Sequence, residues 1–190
     1  GTMSAPVTSA LLPNAPTGAA VTAANSDTVT RSWATPSPAQ PDITGYNVYR
    51  SPNPAFGGAL LLGAGAPGYS YTDATLGPSA AGSILYYFAQ SENIAGAGPP
   101  SAAAGAMVPP NPPGTPTPAS SAGAVTLTWA ANPAAENAAY YTVYRNPGSG
   151  FVSVGKVTSP ATSFTDTPAN GLATGVDYSY EITATNLGSG

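Results

Sequence analysis

One strand pattern occurs twice in this chain: VTRSW at residues 29–33 and, 96 residues later, VTLTW at residues 125–129. In the second copy, apolar residues alternate with threonines. A period of two, in residues rich in Val, Thr and aromatic side chains, is typical of a half-buried antiparallel strand. Each copy therefore predicts a strand with one face on a core, and Arg31 is unusual because it takes the core-facing place of Leu127.

Three further blocks follow each of these strands in the same order. They are YNVYR (46–50) and YTVYR (141–145), YTD (71–73) and FTD (164–166), and LYYFAQSEN (85–93) and YSYEITATN (178–186). Their offsets of 95, 93 and 93 residues make this a domain-sized repeat. Turn clusters such as PGSG at residues 147–150 separate the blocks. Short strands with frequent turns predict an all-β chain of two sandwiches.

The composition argues against several functional classes. Charged residues make up 6% of the chain, and four Lys and Arg residues are too few for a nucleic-acid binder. Without His or Cys, the chain offers neither a Ser-His or Cys-His nucleophile nor a zinc site built from those ligands. The eight acidic residues show no cluster and no calcium-loop spacing. We therefore predict no enzyme activity, no catalytic, cofactor-binding or metal-binding residues, no nucleic-acid partner and no membrane span.

Each copy resembles a fibronectin type III domain, a member of the immunoglobulin-like β-sandwiches. The matching elements are the strand ending in Trp129 (Trp33 in the first copy), the Y-x-V-Y-R strand, the aromatic-Thr-Asp strand and the closing strand that begins at Tyr178. The resemblance implies that both tryptophans pack between two sheets. It also implies that Tyr178 is a corner tyrosine whose hydroxyl bonds to nearby backbone. We assign residues 13–109 and 110–190 to two tandem domains joined by a short Pro-rich linker.

The proline run at residues 109–118 has two interpretations. Prolines favour an extended, stiff conformation, which suits a spacer between domains placed end to end. The same run also suits the first edge strand of the second copy, where proline discourages aggregation.

Arg31 likewise has two interpretations. In the favoured one, Arg31 lies near a strand end, its aliphatic stem packs on the core and its charged head reaches water. In the other, the guanidinium is buried and pairs with an acid or with a partner chain, because a buried charge without such a partner is costly.

The second copy appears in the sequence without its last strand. Residues 99–108 supply that strand in the first copy, whereas four residues follow Asn186. If residue 190 is joined to residue 1, Asn186 precedes Asn14 by 18 steps, the spacing that also separates Asn93 from Asn111. Residues 1–12 are therefore a candidate donor strand for the second sandwich.

Three accounts fit this pattern. The N-terminal strand of one molecule completes the second sandwich of the next by donor-strand complementation, and the head-to-tail contact gives a filament. Alternatively, the 190 residues are one period of a longer covalent array, or a truncated piece whose N-terminus is a tail. The predicted assembly interface comprises Ala5, Val7, Ser9, Leu11 and Leu12 on the donor and Tyr178, Tyr180, Ile182 and Ala184 on the acceptor.

The leading functional prediction is a structural subunit of an extracellular filament or surface array, with copies of itself as partners. Tyr49 and Tyr144 are expected to face away from the core and form a candidate binding face for carbohydrate or another surface protein. A cross-strand tyrosine pair is the alternative explanation for these residues. The alternative function is a spacer or a carbohydrate- or protein-binding accessory module of a secreted multidomain enzyme or phage surface protein. The predicted location is extracellular, or a cell or virion surface.

Overall fold

A computed structural model describes residues 2–5 and 9–188 of the chain. Regular structure in these residues consists of β-strands and three one-turn 3-10 helices, which confirms the predicted all-β fold class. None of the helices in the described residues has the length and apolar character needed to cross a bilayer.

The first copy contains eight strands and the second contains six among the described residues. Those of the first copy are β1 (Thr17–Ala24), β2 (Val29–Ala34), β3 (Gly45–Ser51), β4 (Leu60–Ala66), β5 (Ser70–Asp73), β6 (Ile84–Asn93), β7 (Gly96–Pro100) and β8 (Ala104–Met107). Those of the second copy are β9 (Thr117–Ser121), β10 (Ala124–Thr128), β11 (Tyr140–Asn146), β12 (Val152–Thr158), β13 (Ser163–Asp166) and β14 (Ser179–Thr185).

The first sandwich has one sheet in the order β1-β2-β5 and another in the order β4-β3-β6-β7, with β8 also paired to β6. Its core joins the two sheets, because Trp33 of β2 packs with Tyr46 and Val48 of β3 and Ala89 of β6. The Trp33 and Tyr46 ring centroids lie 5.3 Å apart. Trp33 therefore packs between the sheets, as predicted.

The second sandwich repeats this plan with the sheets β13-β10-β9 and β12-β11-β14. Trp129 packs against Tyr141 with ring centroids 5.4 Å apart. Leu127 of β10 and Val143 of β11 complete the contact between the sheets, and both are fully buried. The alternation seen in the sequence is therefore the pattern of a strand with one face on a core.

The chain divides into two compact units that do not follow the sequence blocks at one point. The first unit comprises the residues up to Leu76 together with Ile84–Ala106, and the second comprises Gly77–Ser83 and Met107–Gly190. The segment Gly77–Ser83 thus belongs to the second unit, although β5 and β6 on either side of it belong to the first. Within the second unit, the Gly82 N–H donates to the Val108 carbonyl at 2.9 Å.

The proline run divides between the two predicted interpretations. Residues 109–116 lie outside any strand. Pro118 lies within β9, where it faces Leu127 of β10 in the register of the sheet. Since β9 is an edge strand, the missing N–H of Pro118 removes no bond from the sheet interior.

Arg31 corrects the favoured prediction, because its head does not reach water: the side chain is 0% exposed. The guanidinium carbon lies 5.0 Å from the centroid of the Trp33 ring. Among the described residues, none of the three guanidinium nitrogens has a hydrogen-bond partner, so no acid is paired with it either. Burial lowers the pKa of Arg31 to about 10, although the neighbouring Tyr87 opposes the shift.

The first unit contains a buried cluster of Arg50, Asp73 and Tyr87. Arg50 Nη1 lies 2.7 Å from Asp73 Oδ2, and the Tyr87 hydroxyl donates to the same oxygen at 3.0 Å. Thr75 donates its N–H and its hydroxyl to Asp73 Oδ1, which makes a local turn bond two residues after the aspartate. Burial alone would raise the pKa of Asp73, but these hydrogen bonds outweigh it and hold the pKa below its ordinary value.

The second unit repeats the cluster with one difference. Arg145 Nη1 lies 2.9 Å from Asp166 Oδ2, and the Tyr180 hydroxyl donates to that oxygen at 2.8 Å. Pro168 stands where the first unit has Thr75, and it offers neither an N–H nor a hydroxyl. Within the described residues, Asp166 Oδ1 consequently has no hydrogen-bond partner.

Replacing the buried cation should stabilise the first unit. Arg31→Leu installs the residue of the second copy, and we expect the free energy of unfolding to rise by about 1 to 3 kcal/mol because a desolvated charge is removed. Urea unfolding followed by tryptophan fluorescence measures the change. The reciprocal variant Leu127→Arg is the matched control and should destabilise the second unit. A loss of stability in Arg31→Leu would mean that the contact with Trp33 outweighs desolvation.

The Asp73 cluster predicts a pH-dependent contribution to stability. Asp73→Asn should lower the free energy of unfolding by about 3 kcal/mol at pH 7, because it breaks a buried ion pair. A carboxyl with a lowered native pKa stabilises the fold above its unfolded pKa of about 4 and loses that contribution as the pH falls through the native pKa.

The difference between wild type and Asp73→Asn should therefore shrink below about pH 4. Urea unfolding between pH 7 and pH 2 measures it, with the exposed Asp27→Asn as the control. A difference that stays constant down to pH 2 would contradict the proposed linkage.

Candidate assembly site

The last strand of the second unit has one unpaired side. Its counterpart in the first unit, β6, pairs with β3 on one side and with β7 and β8 on the other, whereas among the described residues β14 pairs with β11 alone. Burial follows this difference. Tyr87 and Ser91 of β6 are 0% exposed, while their counterparts Tyr180 and Ala184 are partly exposed.

The backbone at the centre of β14 shows which bonds the missing neighbour would make. In β6, the Ala89 N–H donates to Ser101 Oγ at 3.1 Å, and the Ser101 N–H donates to the Ala89 carbonyl at 2.7 Å. Ile182 has the register of Ala89, since it faces Val143 of β11 as Ala89 faces Val48 of β3. The backbone of Ile182 is therefore directed at the open edge, and such an edge can pair with another chain.

The predicted donor residues that the structure describes lie outside any strand. Val7 lies outside the described residues. Ala5, Ser9, Leu11 and Leu12 are described, and none of them is in a strand. Leu11 is 85% exposed and Leu12 is 54% exposed. Their role in assembly stays a prediction.

One asparagine in each unit holds the segment that precedes the first strand. Asn93 Nδ2 donates to the Leu11 carbonyl at 2.7 Å, and Asn186 Nδ2 donates to the Val108 carbonyl at 3.0 Å. Leu11 and Val108 are counterparts, 97 residues apart, as are Asn93 and Asn186 at 93 residues. The two copies thus share a tether between the closing strand and the segment leading into the sandwich.

A second bond fixes the same segment in each unit. The Asn14 N–H donates to Gln40 Oε1 at 2.7 Å, and the Asn111 N–H donates to Glu136 Oε2 at 2.8 Å. Sequence comparison aligned Asn14 with Asn111 but missed the side chains that hold them. The 96-residue offset between Gln40 and Glu136 was the available signal.

Three of the predicted acceptor residues, Tyr178, Tyr180 and Ile182, make contacts inside the second unit. The Ala173 N–H donates to the Tyr178 hydroxyl at 3.0 Å, which confirms Tyr178 as a corner tyrosine. The Arg145 guanidinium lies over the Tyr178 ring, 4.9 Å from its centroid. Tyr180 binds Asp166 and Ile182 is in the core, so Ala184 and the strand backbone are what this edge offers to a neighbour.

The candidate binding tyrosines have ordinary packing partners. The Tyr49 ring packs edge-on against Phe56, with centroids 4.9 Å apart, and Phe56 packs in turn on Phe88. Phe56 lies in the loop between β3 and β4, so this contact is not the cross-strand tyrosine pair given above as the alternative. Tyr144 is half-buried on β11, opposite Glu181 of β14. Their binding role stays a prediction.

The titratable groups form no metal centre in the part of the chain that the structure describes, since no three acidic side chains lie close enough together to hold an ion. Glu136 is used structurally, because Asn111 and Asn132 both donate to its carboxylate. Burial alone would raise the pKa of Glu136, but these hydrogen bonds outweigh burial and keep the pKa below its ordinary value.

Amide hydrogen exchange should distinguish the two closing strands. We expect the Ala89 amide to be protected by its bond to Ser101 and the Ile182 amide to exchange quickly in the monomer, because its side of β14 is unpaired. Two-dimensional NMR after transfer to heavy water measures both rates. Equal protection of the two amides in a monomeric sample would mean that the β14 edge is already covered.

Solved structures of fibronectin type III domains resemble the chain. The FN1–FN3 domains of chicken CNTN1 align with a TM-score of 0.49 and 17% identity over 94% of this chain and 64% of that one. A two-domain segment of chicken tenascin gives 0.46 and 18% over 90% and 91% of the two chains. An Fn3-like protein from Clostridium thermocellum gives 0.42 and 23% over 53% and 98%.

This chain therefore spans less than two thirds of the CNTN1 structure that it matches. No family model and no curated protein matches the sequence. Within the chain, the sheet orders, the tryptophan between the sheets and the corner tyrosine are those of the type III sandwich. The protein has the fold of two tandem fibronectin type III domains.

Proposed function

We propose that this protein is a non-enzymatic structural subunit of an extracellular or surface filament, in which residues 5–12 of one copy complete the second sandwich of the next. The observation that carries the proposal is the unpaired edge of β14, whose counterpart β6 is covered by β7 and β8. A strand added there would bury the half-exposed Tyr180 and Ala184 and pair the backbone of Ile182.

The repeat gives the register of the donated strand. The buried residues of the corresponding stretch are Ala104 and Ala106 of β8 and, just after β8, Val108, which belongs to the second unit. With the 97-residue offset that relates Leu11 to Val108, their counterparts are Val7, Ser9 and Leu11. The alternate residues of the N-terminal segment thus have the small or apolar character that the β14 edge requires.

The chemistry of the contact favours hydrogen bonding and burial over charge. Residues 4–12 contain no charged side chain, and the whole chain carries a net charge of only −4. Main-chain bonds would supply affinity, and alternate side chains would supply the register. Because the donor and the acceptor are different surfaces of one molecule, the contact is head-to-tail, and it extends into a filament when the rotation between copies does not close a ring.

A second candidate is one period of a covalent array of such domains, acting as a spacer. It is favoured by the identity of the two tethers, Asn93 to Leu11 and Asn186 to Val108. In an array, residues 5–12 would be the last strand of a preceding domain. Purified 190-residue chains distinguish the two, because only the filament proposal expects them to polymerise unaided.

Two neighbouring substitutions test the donated strand. Val7→Asp places a charge at the position whose counterpart, Ala104, is buried, and we expect it to reduce polymer yield at least tenfold because an unpaired charge would be buried. Thr8→Asp is the matched control, because its counterpart Gly105 is exposed. Sedimentation and negative-stain microscopy measure the yield.

The two variants should both remain folded, which circular dichroism and thermal unfolding check. Polymers that survive Val7→Asp as well as they survive Thr8→Asp would refute strand donation. Polymers lost equally in both would point to a charge effect without an inward-facing register. A wild-type chain that stays monomeric at high concentration would favour the spacer.

A further inference from the structure

The second unit contains a loop that is the repeat counterpart of Gly77–Ser83. With the 93-residue offset of the closing strands, Gly82 corresponds to Gly175 and Ser83 to Val176. Both glycines have the same left-handed backbone, with φ of 74° at Gly82 and 76° at Gly175. Their surroundings differ. A Cβ on Gly82 would collide with the backbone of Glu136, whereas a Cβ on Gly175 would meet nothing within 4 Å.

The contacts of Gly77–Ser83 show what such a loop can bind. The Gly82 N–H donates to the Val108 carbonyl, and the Val108 N–H donates to the Ser83 carbonyl, both at 2.9 Å. Asn137 Nδ2 donates to the Gly82 carbonyl at 3.1 Å. A glycine is required because the loop backbone lies directly on the backbone of Glu136.

The first unit carries a copy of the surface that receives this loop. Leu11, Asn14 and Gln40 are the counterparts of Val108, Asn111 and Glu136. Their backbone is already positioned, since Asn93 holds the Leu11 carbonyl and Gln40 accepts from the Asn14 N–H.

Among the differences between the two receiving surfaces, one removes a side-chain hydrogen-bond donor. Pro41 replaces Asn137, so this surface lacks one of the donors present in the second unit. The Leu11 carbonyl accepts from Asn93 and, as a carbonyl oxygen, has capacity for a second hydrogen bond, as the Val108 carbonyl demonstrates with Gly82 and Asn186.

The counterpart loop, residues 171–176, is held in place by hydrogen bonds within the second unit. The Ala173 N–H bonds to the Tyr178 hydroxyl, and the Leu172 N–H donates to the Thr167 carbonyl at 3.3 Å. Residues 173–177 are exposed. The chain thus presents an exposed loop and a receiving surface whose repeat counterparts bind each other in the second unit.

We propose that residues 171–176 of one copy dock on Leu11, Asn14 and Gln40 of the copy that donates its N-terminal strand to it. The Gly175 N–H donates to the Leu11 carbonyl of that copy, and the Leu11 N–H donates to the Val176 carbonyl. The inference rests on the proposed function, because the same neighbour supplies the donated strand and this surface. It adds a second, separately mutable contact at the end of that strand.

The Gly175→Asn variant tests the contact. Asparagine tolerates the left-handed backbone, and the open space at Gly175 leaves the monomer fold intact. Docked, the new Cβ would meet the backbone of the partner's Gln40, so we expect polymer yield to fall at least tenfold. Gly58→Asn is the matched control, with φ of 79° and equally open surroundings.

Filaments that depend on Val7 and form equally in Gly175→Asn and Gly58→Asn would overturn this inference and leave the proposed function standing. Loss of filaments in Gly175→Asn alone, with unchanged thermal unfolding of the monomer, would support it.

Disulfide trapping decides the case in which no filament is seen. The chain has no cysteine, so Leu11→Cys and Val176→Cys can be made singly and mixed under mild oxidation. We expect a mixed disulfide-linked dimer at least fivefold above that from Leu11→Cys mixed with Val152→Cys, a control at a residue that is 55% exposed. An equal yield from both mixtures would overturn the docking contact, whatever the fate of the filament.

Discussion

A β-strand has two hydrogen-bonding edges, and the closing strands of the two sandwiches differ in how many of them are paired among the described residues. In the first unit, β6 lies between β3 and the pair β7 and β8, and its Tyr87, Ala89 and Ser91 are fully buried. In the second unit, β14 has the same sequence pattern and the same Arg-Asp-Tyr cluster beneath it. It has one partner strand among the described residues, and its side chains are correspondingly more exposed.

The two copies act as internal controls for each other. Arg31 and Leu127 are both fully buried at one register position, so the site accepts either an apolar side chain or a guanidinium stacked on a tryptophan. Thr75 is replaced by Pro168 in the second unit. Asp166 therefore lacks the two donors that Asp73 has, but it keeps its ion pair. The ion pair and the tyrosine bond therefore define the cluster, and the turn bond is an addition.

Much of the fold was accessible from sequence because period-two alternation and recurrence report burial directly. Trp33, Trp129 and Tyr178 are where the repeat and the resemblance predicted them. The full burial of the Arg31 guanidinium could not be predicted from sequence. A strand pattern indicates which face a residue takes, but it does not indicate whether a long side chain can bend out to water.

Contacts between residues far apart in the chain also could not be predicted from the sequence. Arg50, Asp73 and Tyr87 recur in both copies, yet their spacing along the chain says nothing about three side chains meeting at one carboxylate oxygen. The segment Gly77–Ser83 was assigned by its neighbours in sequence, whereas its hydrogen bonds place it in the second unit. Of the candidate assembly site, the acceptor strand was recognisable, but the Asn93 and Asn186 tethers were not.

The tether at Val108 has a mechanical consequence. The chain leaves β8 and is fastened almost at once by Asn186 and Gly82, so a pull on the C-terminal side reaches β8 only after these bonds give way. The next bonds to carry the load are those between β8 and β6. Resistance to stretching is governed by the rate of unfolding and not by equilibrium stability. A chain of modest thermal stability can therefore still resist stretching.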